Sequence, residues 1–458
     1  MHYSYSNYAP HYRALLSLGI PLVVGQIGTI ILGFADTLMI GHHSSMELAA
    51  AGFVTNIFNL ALITAIGFSY GLTPVVGNLF GQEKHERIGG MLKNGLATNA
   101  VVALLLVVIM GTLYLNLDKM GQPEELLPVM RPYFLVNLVS IPFAVLFNTV
   151  KQFFDGTAHT KVPMWTMIVS NLVNILGNYL LIYGKLGFPE LGLLGAGIST
   201  CVSRMMMGIG LLVWFLCSSN YKIYRKGFFA ACVNRADFLK LNRMGWPVAF
   251  QIGMETAAFS LSVIMIGWIG ALALTAHQIA ITISQIFYMI YYGLSSAVAV
   301  RVSFFHGQHD FKALRRASYS GCHITLLLII VNIAFILLTR NVLGGLFTDD
   351  AAASALVAQV ALPLAVYQLG DGMQYIFANS LRGLSCVKPM MYTAFIAYFV
   401  ISLPLGYLFG IRMGYGLVGI WYAFPFGLTS AAILYYVWFI KNLHREERNW
   451  TNGNAMHC

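Results

Sequence analysis

The chain has 458 residues, 58% of them hydrophobic and only 10% charged, with a mean hydropathy of +0.71. Soluble domains carry about 25% charged residues, so the composition excludes a large soluble enzyme and indicates a polytopic membrane protein. Lys and Arg outnumber Asp and Glu by 27 to 17. In a soluble protein that excess would point to nucleic acid, but in a membrane protein it follows from the enrichment of basic residues in cytoplasmic loops, and no nucleic-acid partner is expected.

The N-terminal stretch Met1 to His11 is polar, and the first apolar run is too long for a cleavable signal and lacks a small-residue cleavage site. Residues 15–40 are therefore expected to act as an uncleaved signal anchor. Six cysteines, at 201, 217, 232, 322, 386 and 458, include no Cys-x-x-Cys and no close pair, which fits neither a disulfide framework nor a zinc site. The adjacent His42 and His43 lie in a short loop with no third ligand nearby in sequence.

Twelve apolar segments follow in order: 15–40, 48–76, 94–116, 129–150, 163–184, 191–218, 244–268, 272–300, 318–340, 352–379, 390–410 and 416–440. About 20 apolar residues suffice to span a bilayer as a helix, so each is a candidate crossing. Pro21, Pro142, Pro247, Pro363 and Pro404 interrupt them, which a bilayer tolerates where neighbouring helices or cavity water satisfy the freed carbonyls. With the N-terminus in the cytoplasm and Arg204 set aside as intramembrane, the alternating loops hold 21 basic residues inside and 5 outside. An even number of crossings then puts both termini in the cytoplasm.

The basic connection 219–243 divides the segments six and six, and the halves repeat. Gly19-Ile20-Pro21 answers Gly245-Trp246-Pro247, Met39-Ile40-Gly41 answers Met265-Ile266-Gly267, Gly81-Gln82 answers Gly307-Gln308, and Pro163 answers Pro389, all at an offset of 226. Both halves enter the bilayer from the same side, so they are parallel repeats, a common transporter plan with the site near the midplane. The expected fold is an all-α membrane protein of 12 helices in two six-helix lobes related by a pseudo-two-fold axis. The expected domains are an N-lobe 1–218, the linker 219–243, a C-lobe 244–440 and a cytoplasmic tail 441–458.

Few ionisable groups fall inside the segments. Asp36, Arg204, Glu255 and Asp371 are the clearest, and insertion of such a charge costs roughly 2.5–3.5 kcal/mol on translocon scales. At the repeat offset Asp36 corresponds to Ser262, Glu255 to Thr29 and Asp371 to Val145, so no acid is common to both halves. Asp36 reads either as a helix-terminal acid near the outer interface or as part of a cation site. Asn174 and Asn178 lie four apart, hence on one helix face, and Thr200 follows on the next segment; carboxylate, amide and hydroxyl oxygens suit a sodium ion or a proton-and-water network. The same Asn and Thr residues also serve as ordinary interhelical glue. Glu255 and Asp371, with Tyr367 one turn before Asp371 and an aromatic patch at Tyr288, Tyr291 and Tyr292, suit a cation held by charge and ring faces, although such tyrosines also form interfacial belts. Arg204 either neutralises a cavity acid or snorkels. No Gly-x-Ser-x-Gly, His-Glu-x-x-His or Walker A motif is present, so neither an enzyme nor an ATP-driven pump is expected.

These residues carry a resemblance. Gly-Phe-Ala-Asp-Thr-Leu-Met-Ile-Gly on the first segment, Gly-Asn-Leu-Phe-Gly-Gln after the second, Gln-Ile-Gly-Met-Glu on the seventh, Ala-His-Gln-Ile-Ala on the eighth and Asp371 on the tenth resemble the multidrug and toxic compound extrusion (MATE) transporters, in their NorM-like branch. The resemblance spans essentially the whole chain. It implies a V-shaped cavity between lobes, alternating access, and export of small cationic amphipathic drugs in exchange for Na+ or H+, with no other cofactor. It implies an N-lobe cation site of Asp36, Asn174, Asn178 and Thr200, and a C-lobe site of Glu255 and Asp371, with Tyr288 or Tyr367 nearby, which would hold Na+. Asp36, Glu255, Gln278, Gln285 and Asp371 would line the substrate cavity. Arg204 has no place in that pattern. A monomer in a bacterial inner membrane is expected. The alternative is a lipid-linked oligosaccharide flippase of related fold, which would want a basic cavity and often extra helices; here acids dominate.

Overall fold

The computed structural model describes residues 5–452, so Cys458 and the end of the tail 441–458 lie outside the described residues. Among the described residues twelve helices are long and apolar enough to cross a membrane, and no strand occurs. They run Asn7–His43, Ser45–Gly81, His85–Leu115, Glu124–Gly156, Lys161–Ile182, Gly192–Cys217, Arg235–Ile269, Ala271–Gly307, Phe311–Leu346, Ala351–Gly383, Lys388–Arg412 and Gly416–Thr451, and are numbered here as spans one to twelve. The chain is an all-α polytopic membrane protein, as its composition requires.

Most spans outrun the apolar segments that mark them. The first has 37 residues, about 55 Å at 1.5 Å per residue, against a hydrocarbon core of about 30 Å. Hydropathy marks only the part in the hydrocarbon; the helices continue with polar residues into the interface. Pro21, Pro142, Pro247 and Pro363 are all inside helices. Pro404 is handled differently. The eleventh span is π-helical over Phe395–Ser402 and Tyr407–Arg412, on either side of the short helix Leu403–Gly406. The Leu403 N–H reaches back five residues to the Tyr398 carbonyl, and the Met413 N–H to that of Leu408 at 2.8 Å. The wider turns accommodate a ring that would crowd the carbonyl four residues back.

The described chain divides into two compact units: Val24–Ala249, called here unit N, and the residues through Val23 together with those from Phe250 onward, called unit C. The two divisions lie inside the first and seventh spans, at Val24 and Phe250, positions that correspond at the repeat offset of 226. Each unit has an apolar core of its own. Phe58, Phe134, Ile141 and Leu193 belong to that of unit N, and Ile266, Leu364, Trp421 and Phe424 to that of unit C. In spans four, eight, ten and twelve, half or more of the apolar window is buried; in the others it is a third or less. The four are packed on by the rest, which leave apolar side chains for lipid.

The stretch 219–243 is built into unit N rather than strung between elements. It holds a single 3-10 turn Ser219–Tyr221 and a helix Lys222–Ala230, and the seventh span already begins at Arg235. The short helix lies against the start of the third span with backbones almost touching. A Cβ on Gly89 would overlap the Tyr224 carbonyl, and one on Gly227 would overlap that of Glu86. Polar contacts seal the seam: Lys93 Nζ donates to the Ala231 carbonyl at 2.7 Å, and Arg87 Nη2 donates to both oxygens of the buried Asp237 at 2.7 Å. Asn234 Oδ1 accepts from the Asp237 N–H at 2.8 Å and so caps the seventh span. Beneath, Tyr221 and Tyr224 pack edge-on against Phe153, with ring centroids 6.4 and 5.6 Å away.

Gly227→Val forces the two backbones apart, and overpacking of this kind costs about 1–3 kcal/mol, so the detergent-solubilised chain melts at a clearly lower temperature. Gly111→Ala is the control, because a Cβ there meets nothing within 4 Å; its melting temperature stays the same or rises. Equal melting of the two variants would mean that the close approach contributes nothing.

Candidate functional site

Two polar clusters lie within the spans, one in each unit. In unit C, the seventh span carries Glu255 eight residues past Pro247, and the tenth carries Asp371, Gln374 and Tyr375 on one face, since residues three and four apart are neighbours on a helix. Glu255 is 7% and Asp371 1% exposed. Tyr375 Oη donates to Glu255 Oε1 at 2.6 Å, and Gln374 Nε2 lies 3.4 Å from both Glu255 Oε1 and Asp371 Oδ1. Tyr398, from the first π-helical stretch, donates to Gln374 Oε1 at 3.0 Å. Asp371 Oδ2 is buried with no hydrogen-bond partner. Among the described residues no basic side chain acts on either acid.

Rings crowd this pair. Tyr288 packs edge-on to Tyr375 with centroids 5.2 Å apart and hydroxyls 3.4 Å apart, and Tyr292 meets the same ring at 5.6 Å. The Tyr291 hydroxyl accepts from Asn332 Nδ2 at 2.5 Å. Tyr367 is buried one turn from Asp371, with its ring against Phe259, Trp421 and Phe424. Gln278 and Gln285 occupy exposed positions of the eighth span, seven residues apart on one face, and among the described residues neither bonds to the acids. Sequence reasoning misses Gln374, Tyr375 and Tyr398. The first two carry a signal, their spacing from Asp371; Tyr398 carries none.

In unit N, Asp36 is half-buried, nearly two turns inside the end of the first span at His43. Asn174 and Asn178, both fully buried, face it from the fifth span as their spacing requires. Asn178 Nδ2 donates to Asp36 Oδ1 at 2.5 Å. The Asn174 amide fits in either sense. With its oxygen toward Asn178 it accepts at 3.1 Å, and its nitrogen donates to Thr200 Oγ1 at 3.2 Å. Turned over, its nitrogen donates to Asp36 Oδ1 at 3.0 Å and its oxygen accepts from Thr200 Oγ1 at 3.2 Å. Ser199 Oγ donates to the Asn174 carbonyl at 2.7 Å, and Asn178 Oδ1 is buried without a partner.

Arg204 stands one turn beyond Thr200 and does not snorkel. Its Nη1 donates at 2.6 Å to the hydroxyl of Ser140, the midpoint of the fourth span. Its charge interacts with Asp36 and Tyr133. Unit N thus sets one carboxylate against one guanidinium, whereas unit C sets two carboxylates against neutral donors. Among the described residues no three of His, Cys, Asp and Glu gather as a metal centre. The donors on offer are carboxylate, amide and hydroxyl groups, the hard set that alkali and alkaline-earth cations prefer.

Comparison with known proteins bears on what these clusters serve. The MatE family model matches residues 21–180 and again 247–408, more than half of the chain, and the two matches start 226 residues apart, the offset of the internal repeat. The chain is 29% identical over 434 residues to the multidrug resistance protein NorM of Photobacterium profundum, covering 93% of this chain and 95% of that one. Among solved structures, the eukaryotic MATE transporter AtDTX14 superposes with a TM-score of 0.85 at 20% identity, covering 97% of this chain and 99% of that one. A MOP superfamily transporter from Pyrococcus furiosus superposes with a TM-score of 0.84 at 18% identity, covering 95% and 96%. The chain belongs to the MatE family, whose members are membrane transporters and not enzymes.

Proposed function

We propose that this chain is a cation-coupled antiporter that exports small cationic, amphipathic drugs from a bacterial cytoplasm across the inner membrane by alternating access. The observation that carries the reading is the Glu255–Asp371 pair, buried in unit C with hydrogen-bond donors but no basic partner among the described residues. Two carboxylates so placed favour a bound proton, a sodium ion or an organic cation, because each neutralises charge that neutral donors only solvate. The rings of Tyr288, Tyr292 and Tyr375 supply apolar and cation–π surface for an organic cation. The kinship with NorM supports the substrate class.

Energetics support exchange. A tenfold substrate gradient requires about 1.4 kcal/mol, and one monovalent cation moving inward across 100 mV supplies about 2.3 kcal/mol. One or two ions per cycle are enough. Ion and drug compete for the acids, so that ion entry from outside releases drug.

The test is ethidium efflux from energised everted vesicles, with sodium and pH gradients imposed separately. At least one gradient drives efflux, and Asp371→Asn and Glu255→Gln each cut the driven rate by roughly tenfold or more, the effect of losing about 1.4 kcal/mol of ion binding. Gln374→Leu, which removes an amide from both acids but keeps their charge, has a smaller effect. Unchanged efflux in either acid variant would remove that acid from the scheme; no efflux under either gradient would bring forward the flippase reading.

The orientation is tested separately. Basic loop residues put both termini and the stretch 219–243 in the cytoplasm. In a chain whose other cysteines are replaced, the exposed Cys232 therefore reacts with a membrane-impermeant maleimide in everted vesicles and not in intact cells. Labelling in intact cells would reverse the topology.

A further inference from the structure

The two clusters differ in one charge. Unit C has two acids and no base beside them; unit N has Asp36 with Arg204. An arginine in mid-bilayer persists when it faces the protein interior and a counter-charge. Arg204 is held at the level of Ser140, and Thr200, one turn away, bonds to the Asn174 amide that adjoins Asp36. Other carboxylates in the spans of unit N have partners of their own: Asp155 with Lys151 at 2.5 Å, Glu47 with His43 at 2.7 Å, Asp237 with Arg87 at 2.7 Å and Glu86 with Lys226 at 2.8 Å. Asp36 is the acid left within the charge's reach.

We propose that Arg204 is the resident cation of unit N and keeps a monovalent ion from settling at Asp36, so that the coupling ion binds at Glu255 and Asp371 alone. This rests on the cation-coupled reading above and names which acids do the coupling. The oxygens of Asp36, Asn174, Asn178 and Thr200 form a set that a sodium ion would accept, and the buried Asn178 Oδ1 has no hydrogen-bond partner. A fixed guanidinium nearby opposes a second positive charge there. Removing it leaves a desolvated carboxylate, and the cheapest remedy is to bind a cation from solution. Arg204 is a positioning and specificity residue; it need not touch the ion or the drug.

The test uses the full-length chain in detergent and reads thermal stability in NaCl against choline chloride at equal ionic strength, since a ligand that binds only the folded state stabilises it. It is run at a pH where carboxylates are ionised and in an Asp371→Asn background, which silences unit C. With Arg204 intact, adding Asp36→Asn leaves the response to sodium unchanged. Arg204→Met creates a sodium-dependent stabilisation, with apparent affinity raised roughly tenfold or more, as expected for loss of a nearby like charge in a medium of effective dielectric about 20. Adding Asp36→Asn abolishes the new response, and Arg204→Lys, which keeps the charge, does not produce it.

The proposal is overturned if Asp371→Asn already shows a sodium response that Asp36→Asn removes, or if Arg204→Met only lowers stability without one. The latter is the result expected of a residue that merely ties the sixth span to Ser140. If Arg204→Met does not fold, the comparison of Asp371→Asn with and without Asp36→Asn, Arg204 being intact, still decides. These readouts do not depend on drug export, so failure of the export reading would show in the vesicle assay and leave them standing.

Discussion

A carboxylate taken out of water must be given hydrogen-bond donors or a counter-charge, because even after relaxation its desolvation costs several kcal/mol. The two units meet that demand differently. In unit C, Glu255 and Asp371 receive donors only: the Tyr375 hydroxyl, and the Gln374 amide placed between them. Donors lower the cost of one charge but do little against the repulsion of two, so the site gains from any cation that enters. In unit N, amides hydrogen-bond one acid and the Arg204 guanidinium, bonded to Ser140, acts on it electrostatically. One fold therefore carries two polar centres of different electrostatic character, two acids among neutral donors in one unit and one acid near a guanidinium in the other.

The duplication explains how they diverged. The offset of 226 recurs in the sequence landmarks, in the starts of the two family matches and in the residues at which the chain passes from unit to unit. What is repeated is the scaffold. Where one half carries an acid, the other carries a residue that demands no partner from a neighbouring helix. Ser262, the counterpart of Asp36, donates to the Ala258 carbonyl of its own helix at 2.9 Å; Thr29, the counterpart of Glu255, donates to that of Gly25 at 3.3 Å. Val145, the counterpart of Asp371, is apolar and buried in the core of unit N. A hydroxyl that bonds back to its own helix needs nothing from its neighbours, so each such position is structurally silent. The acids are thus not part of what the two halves share.

Much of this is legible in the sequence because the bilayer allows few solutions. Twelve apolar segments mean twelve helices, and the acids Asp36, Glu255 and Asp371 are conspicuous because charge is rare at that depth. The spacing of Asn174 and Asn178 puts both amides toward Asp36. The helix ends are less legible, since hydropathy reports the hydrocarbon and not the interface, and the basic stretch 219–243 reads as a connection because its apolar contacts are few and aromatic. Gln374 and Tyr375 are readable from their distance to Asp371, and so is Tyr367, whose ring packs in the apolar core while the residue interacts electrostatically with both acids. Gln278 and Gln285 are singled out by resemblance, and both occupy exposed positions of the eighth span.

Tyr398 illustrates what sequence periodicity cannot reach. It begins no motif, and a regular helix through Pro404 would give the eleventh span a different register at this point. Tyr398 lies inside the first π-helical stretch, Phe395–Ser402, where a regular helical period does not apply. That hydroxyl engages Gln374 Oε1 at 3.0 Å, which fixes the polarity of the amide: the oxygen is occupied, so the NH2 group must face Glu255 and Asp371. An amide turned the other way would set its oxygen against two carboxylates and convert a donor into a repulsion. The charge that the acid pair tolerates therefore depends in part on a hydroxyl from the eleventh span, which engages Gln374 and acts on Glu255 as well.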